Sequence, residues 1–208
     1  MELLYSILLA VAAFWLGACP FAVWLSRWRL RKDITRYGDG NPGSANVFNA
    51  GGGIILGLSA VILDIAKGVP FVLISHLVFH LPITAVLVVA LCAVLGHAFS
   101  PILKFKGGKS VAVTFGVLMA LPQPDILIAY TIFTVLGFLF IAQHSWVALS
   151  GPIGTFFYLV FSRGFSWELL FMVCVLLLFI LKQHRELQSF PVFKLNFVSW
   201  LQSRRRET

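Results

Sequence analysis

Long apolar runs separated by short polar breaks dominate the chain. Seven of them read as helices: Leu3–Leu25, Ile54–Phe79, Ile83–Pro101, Val111–Leu121, Ile126–Gln143, Trp146–Phe161 and Glu168–Leu181. Gly, Pro and polar turns divide them. A bilayer core of about 30 Å needs roughly 20 helical residues, fewer where a helix is sheltered in a bundle. By that measure Val111–Leu121 is too short to cross alone. The pattern predicts an all-α, polytopic membrane protein of about seven transmembrane helices, some of them short, forming one domain over residues 1–208. Composition agrees, because 59% hydrophobic residues, with 20 Phe, exceed what one soluble core of 208 residues could bury.

Charge then orients the predicted helices. The net charge of +8 would suggest nucleic acid in a soluble protein. Here the cations lie between apolar runs, so anionic lipid and phosphorylated small molecules are the expected partners, not nucleic acid. If all seven runs cross, fourteen of sixteen cations fall in alternate connections: Arg27, Arg29, Arg31, Lys32 and Arg36, then Lys104, Lys106 and Lys109, then Lys182, Arg185, Lys194 and Arg204 to Arg206. The positive-inside rule therefore places the N-terminus outside and the C-terminus in the cytoplasm. Trp24, Trp28, Trp146, Trp167 and Trp200 sit near the run ends, where indole suits the headgroup layer. The alternating basic and apolar tail from Lys194 to Arg206 suits the inner leaflet. The N-terminal run lacks a basic leader region and a cleavage site and reads as a retained span. Cys19, Cys92 and Cys174 lie inside apolar runs and read as packing residues.

Two polar, glycine-rich stretches, 37–46 and 96–109, interrupt this pattern on the same predicted face as the turn Gln143 to Ser145 and the segment Lys182 to Arg185. Glycines let backbone N–H groups converge on an anion, and neighbouring lysines add full charge. In the first stretch Gly38, Gly40 and Gly43 flank Asn41 and Pro42; a plain turn between helices is the competing reading. In the second, Gly107, Gly108 and Lys109 open a helix whose free N–H groups would favour phosphate. Asp64 and Lys67 lie one turn apart in an apolar run, where each charge costs about 2.5–3.5 kcal/mol near mid-membrane. They should face each other or a polar cavity, as a structural ion pair or as a substrate contact. His97 is a candidate base or phosphate donor, or a hydrogen-bonded structural residue. His144 and His184 are weaker candidates, and His76 and His80 are expected bystanders at the opposite membrane face. No Ser-His-Asp spacing, paired catalytic carboxylates or Cys/His cluster is evident, so covalent and metal chemistry is not indicated.

Taken together, Gly40 to Gly43, Asn46-Val47, Asp64 with Lys67-Gly68, Gly96-His97 and Phe105 to Lys109 resemble the bacterial acyl-phosphate:glycerol-3-phosphate acyltransferases over nearly the whole chain. The resemblance implies a compact seven-helix enzyme of the bacterial cytoplasmic membrane. It moves a fatty acyl group from acyl phosphate to the 1-hydroxyl of glycerol 3-phosphate, without a cofactor, metal, carrier protein or coenzyme A, in phospholipid synthesis. It implies His97, Lys109 and Asn46 at the chemistry. Asn41, Gly43, Ser44, Asp64, Lys67, Gly96, Lys104, Gly107, Gly108, Ser150 and His184 would bind substrate, with Ser145 competing for the place of Ser150.

This chain departs from the family pattern in its polar loops. Asp39 stands where the family has Ser, Ala45 where it has Thr, Asn49 where it has Arg, and Leu187 where it has Asn; no Gly-Thr-Glu follows. Losing the Arg removes a bidentate phosphate donor, and an ionised Asp39 would repel phosphate unless it turned toward Arg36 or elsewhere. The alternatives are a noncatalytic or altered-acceptor relative that binds phosphorylated lipid, and a small anion transporter. The topology has its own test: a reporter fused after Thr208 is expected on the cytoplasmic side, and a periplasmic signal would overturn seven crossings.

Overall fold

The computed structural model describes residues 1–194. Ten α-helices are joined by turns, and among the described residues there is no strand beyond one isolated bridge, Ile141 to Phe193. Among the described residues four stretches are long and apolar enough to cross a membrane: Glu2–Leu30, Gly53–Leu77, Ile83–Leu103 and His144–Arg163. Three shorter apolar helices complete the seven expected runs: Val111–Ala120, Pro124–Phe140 and Trp167–Gln183. Outward-facing Leu8, Trp15, Ile55, Ile62, Ile132 and Leu177 are all exposed, as lipid-facing side chains must be.

Two of the expected runs are broken helices. The first divides into α1 (Glu2–Ala18) and α2 (Phe21–Leu30) because Pro20 has no N–H to continue the ladder and drives Cys19 into an extended conformation. Its helical part reaches Leu30, five residues past the expected end. After the short α3 (Ser44–Asn49), the second run divides into α4 (Gly53–Ala66) and α5 (Pro70–Leu77), with Pro70 at the first helical position. Then come α6 (Ile83–Ala98), α7 (Val111–Ala120), α8 (Pro124–Phe140), α9 (His144–Arg163) and α10 (Trp167–Gln183).

Side chains distant in sequence satisfy the carbonyls exposed where these helices stop. Ser100 Oγ donates to Ala18 O at 2.6 Å, and Lys67 Nζ to Cys19 O at 2.9 Å. Lys182 Nζ donates to Ala98 O at 2.8 Å and to Gly107 O at 3.0 Å. Lys32 Nζ reaches Ala50 O at 2.8 Å, and His76 Nε2 lies 2.9 Å from Ala120 O. Expected as a bystander, His76 thus holds the end of α7. Of the tail, Lys194 Nζ donates to Phe138 O at 2.5 Å at the end of α8. Trp200 and the rest of the proposed inner-leaflet segment lie outside the described residues.

Helix backbones approach closely where glycine permits it. On the α1–α6 seam a side chain at Gly96 would overlap Phe14 O, and one at Gly17 would overlap Ala93 O. The same holds for Gly116 of α7 against Ile65 O of α4. At one end of the bundle, Arg163 joins the ends of three helices, bonding Asp125 at 2.6 Å and Glu168 at 3.3 Å. The polar loops gather elsewhere, around the cavity between α4, α6, α7 and α9. Gly96→Val is expected to destabilise the protein by about 1–3 kcal/mol through overpacking of the α1–α6 seam, seen as a lower unfolding temperature in detergent; an unchanged temperature would contradict that contact.

Candidate active site

All four expected polar segments contribute to one cavity of about 270 Å³. Asp39, Asn41, Gly43 and Ser44 come from the first glycine-rich stretch, Asp64 from the end of α4, His97 from the last turn of α6, and Lys109 and Ser110 from the second stretch. His144 opens α9 beside them, and Gln183 closes α10. The rest of the lining is more apolar: Ala45, Val111, Ala112, Thr134, Val147 and Ala148. The first N–H groups of α7 and α9 have no partner within their own helices and carry partial positive charge. A second hollow of about 460 Å³ adjoins the first, sharing Asp39, Asn41, Lys109 and Gln183, and adds Lys106, Gly107, Lys182, His184, Arg185 and Glu186.

The first glycine-rich stretch folds around a carboxylate. Asp39 Oδ1 accepts from Asn41 N–H at 3.0 Å and from Asn46 Nδ2 at 2.8 Å, while Asn46 Nδ2 also donates to Asn41 O at 2.9 Å. Asn49 donates to Asn46 Oδ1 at 2.9 Å. Asn46, 1% exposed, therefore braces the loop from behind and is not on the cavity wall. Gly38 and Gly40 have positive φ, the backbone that lets this loop turn back on itself. Asp39 turns to Lys109, not to Arg36, with Oδ2 2.8 Å from Nζ. Partial burial raises the Asp39 pKa, but Lys109, the Asn41 N–H and Asn46 outweigh that effect and leave it below the ordinary carboxylate value. Asp39 is consequently ionised at neutral pH.

Lys109 is held from both sides, because Glu186 Oε1 lies 2.7 Å from the same Nζ and Ser145 Oγ donates to the Glu186 carboxylate. The competing serine, Ser145, thus reaches the site network. Ser150 bonds Phe133 O at 2.9 Å and Val147 O at 2.7 Å on the α8–α9 seam, away from either cavity wall.

The second stretch also differs in detail from the expected cradle. Its helix begins at Val111, and Gly108 N–H is already committed to His97 O at 3.0 Å, so it is not free for an anion. Gly107 and Gly108 are required because the loop lies directly on the end of α6: a side chain at Gly107 would overlap His97 O, and one at Gly108 would overlap the His97 ring. Lys104 is exposed and outside both hollows. Gly96 serves the α1–α6 seam and is absent from the cavity wall.

Asp64 and Lys67 do face each other, 2.7 Å apart, with side chains 4% and 1% exposed. Asp64 also lines the cavity, with His97 Nδ1 4.0 Å away, whereas Lys67 turns to Cys19 O and lies outside that wall. Of the expected site residues, Asn41, Gly43, Ser44, Asp64, His97 and Lys109 share the central cavity, and Gly107 and His184 line the adjoining one. Ser110, Thr134 and Gln183 were not anticipated individually, although Gln183 stood in a segment expected at the site. Among the described residues no three His, Cys, Asp or Glu side chains gather to hold a metal.

The family model described as glycerol-3-phosphate acyltransferase matches residues 7–189. The chain is 36% identical over 193 residues to a protein of that name from Lactococcus lactis subsp. lactis, covering 88% of each. It is 38% identical over 172 residues to another from Bordetella pertussis, covering 80% of this chain and 77% of that protein. Among solved structures, it resembles PlsY (YgiH), an integral membrane glycerol 3-phosphate acyltransferase, in its glycerol 3-phosphate form with a TM-score of 0.79 and 26% identity, covering 88% of this chain and 90% of that one. The lysophosphatidic acid form gives a TM-score of 0.76 at the same identity.

The Asp64–Lys67 pair should be essential to stability. Lys67→Met, which leaves a buried carboxylate unpaired and a helix-end carbonyl open, is expected to cost about 3–5 kcal/mol. Asp64→Leu combined with Lys67→Met should recover part of that loss in detergent unfolding; a single variant as stable as wild type would refute the role.

Proposed function

This chain belongs to the glycerol-3-phosphate acyltransferase family, and on that basis we propose that it transfers a fatty acyl group from acyl phosphate to the 1-hydroxyl of glycerol 3-phosphate. The products are lysophosphatidic acid and inorganic phosphate, a step in phospholipid synthesis carried out in the bacterial cytoplasmic membrane with the site open to the cytoplasm. The observation that carries the reading is the shared cavity of Asn41, His97 and Lys109 beside an apolar wall. Such a hollow can hold an anionic head and the start of an acyl chain together.

The donor phosphate fits between the Asn41–Ser44 loop and the first turn of α7, where N–H groups and the helix dipole favour negative charge. Its acyl chain lies against Val111, Ala112, Val147 and Ala148 and continues into lipid. The acceptor approaches through the adjoining basic hollow, where Lys106, Lys182, His184 and Arg185 gather. Attack of its hydroxyl oxygen on the acyl carbon forms the ester, the carbon–oxygen bond to phosphate breaks, and the hydroxyl proton leaves with a phosphate oxygen. The protein contributes chiefly position and charge compensation. His97 suits a positioning role: its Nε2 faces Gly108 and its Nδ1 faces Asp64.

One observation favours the altered-acceptor reading. Lys109 already has two carboxylates within 2.8 Å, so a phosphate must share it or displace one of them. Purified protein given acyl phosphate and a series of acceptor alcohols is expected to form lysophosphatidic acid and phosphate fastest with glycerol 3-phosphate. Binding without turnover would favour a noncatalytic protein, faster turnover of another alcohol an altered acceptor, and movement of labelled phosphate across proteoliposomes a transporter. His97→Gln should retain transfer within about tenfold, because a general base contributes about 10²–10⁴; a loss of that larger size would make His97 the base.

A further inference from the structure

The wall between the two hollows contains a buried carboxamide that the reaction as described leaves unused. Gln183 is 2% exposed, lines both hollows, and among the described residues its Oε1 has no hydrogen-bond partner. Its Nε2 has only a long 3.5 Å contact, to Phe179 O. The other unpartnered buried side-chain atoms, on Ser26, Gln123 and Tyr130, lie outside both walls. Several charged neighbours are already engaged: Asp39 and Glu186 with Lys109, and Lys182 with Ala98 O and Gly107 O, while Lys106 and Arg185 line the second hollow away from the shared wall. A buried amide left open beside a cavity calls for a bound group to complete it.

The chemistry of the neighbours narrows that group. Asp39, which lines both hollows with Gln183, and Glu186, which lines the second, accept hydrogen bonds and donate none, and the open carboxamide oxygen adds a third acceptor. An ionised phosphate brings only further acceptors, whereas an alcohol brings a donor. The contact of Nε2 with Phe179 O sets the orientation, because a flipped carboxamide would put two oxygens against each other, so the open atom is the accepting oxygen and a hydroxyl can donate to it. Nor can a carboxamide take the proton of the attacking hydroxyl, because it is far too weak a base. Its useful partner is a hydroxyl that keeps its proton.

We propose that Gln183 reads the non-reacting 2-hydroxyl of the acceptor and so turns the 1-hydroxyl toward the central cavity. The assignment rests on glycerol 3-phosphate as the acceptor and names the residue that distinguishes it from a simple alkyl phosphate. Acceptor phosphate then occupies the basic hollow and the hydroxyl end the wall between the two, so the molecule enters in one direction.

The test pairs a substrate deletion with a residue deletion. Wild-type protein, palmitoyl phosphate and either glycerol 3-phosphate or 3-hydroxypropyl phosphate, which lacks the 2-hydroxyl, are compared by kcat/KM. Wild type should prefer glycerol 3-phosphate by about ten- to hundredfold, since a site built to bond a hydroxyl rejects the analogue without it. Gln183→Met should lose the preference, mainly by slowing glycerol 3-phosphate, while Gln183→Glu, which keeps an accepting oxygen, should retain it. A wild type that uses both alcohols equally, or Gln183→Met that still discriminates, overturns the assignment while leaving glycerol 3-phosphate acylation intact. Failure of wild type to acylate either alcohol overturns the functional reading and this assignment with it.

Discussion

A carbonyl at the end of a helix within a bilayer has no water to accept from, and the rest of this structure depends on how that need is met. The first two long apolar runs stop and restart at Pro20 and Pro70. A break inside an apolar run is sustainable only if another part of the protein brings donors. Here Ser100 and Lys67 close the end of α1, Lys182 the end of α6, and His76 the end of α7. These donors come from distant segments, so capping the helices also assembles the fold. The ammonium of Lys67 would itself be costly in that setting, and Asp64 compensates it at 2.7 Å.

The same arrangement makes the cavity. Ending α6 at Ala98 and starting α7 at Val111 leaves a loop that must pack back onto α6, which it does by placing Gly107 and Gly108 against His97. Lys182 ties that loop to the end of α6. The first residues of α7, Val111 and Ala112, then line the hollow. Short α7 is thus less a failed membrane span than a platform at the base of the site. Its far end is held by His76, and its middle lies against α4 where Gly116 meets Ile65 O.

Charge in the site is balanced more tightly than a simple phosphate cradle requires. Lys109 lies between Asp39 and Glu186, and each carboxylate has its own support, Asn41 and Asn46 for the first and Ser145 for the second. A carboxylate in the first loop is therefore accommodated within a closed network centred on Lys109.

By itself the sequence established the membrane class and the apolar helical runs, though not that two of them divide, because hydropathy and helix length answer directly to bilayer thickness. It also brought the four polar segments to one face, since alternate connections must share a side. Asp64 with Lys67 was legible as a pair from one-turn spacing, as was the need for glycine in the two loops. Which donor closes which carbonyl was not legible, because Lys67 and Cys19, or Lys182 and Ala98, meet only when distant helices pack. For the same reason Asp39 could be foreseen as a problem for phosphate but not as the partner of Lys109. Likewise, only packing placed Gln183 between two hollows with an unpaired amide. Local pattern governs whether a segment is helical and which way it faces; satisfying buried polar atoms is a long-range condition, decided when the chain is folded.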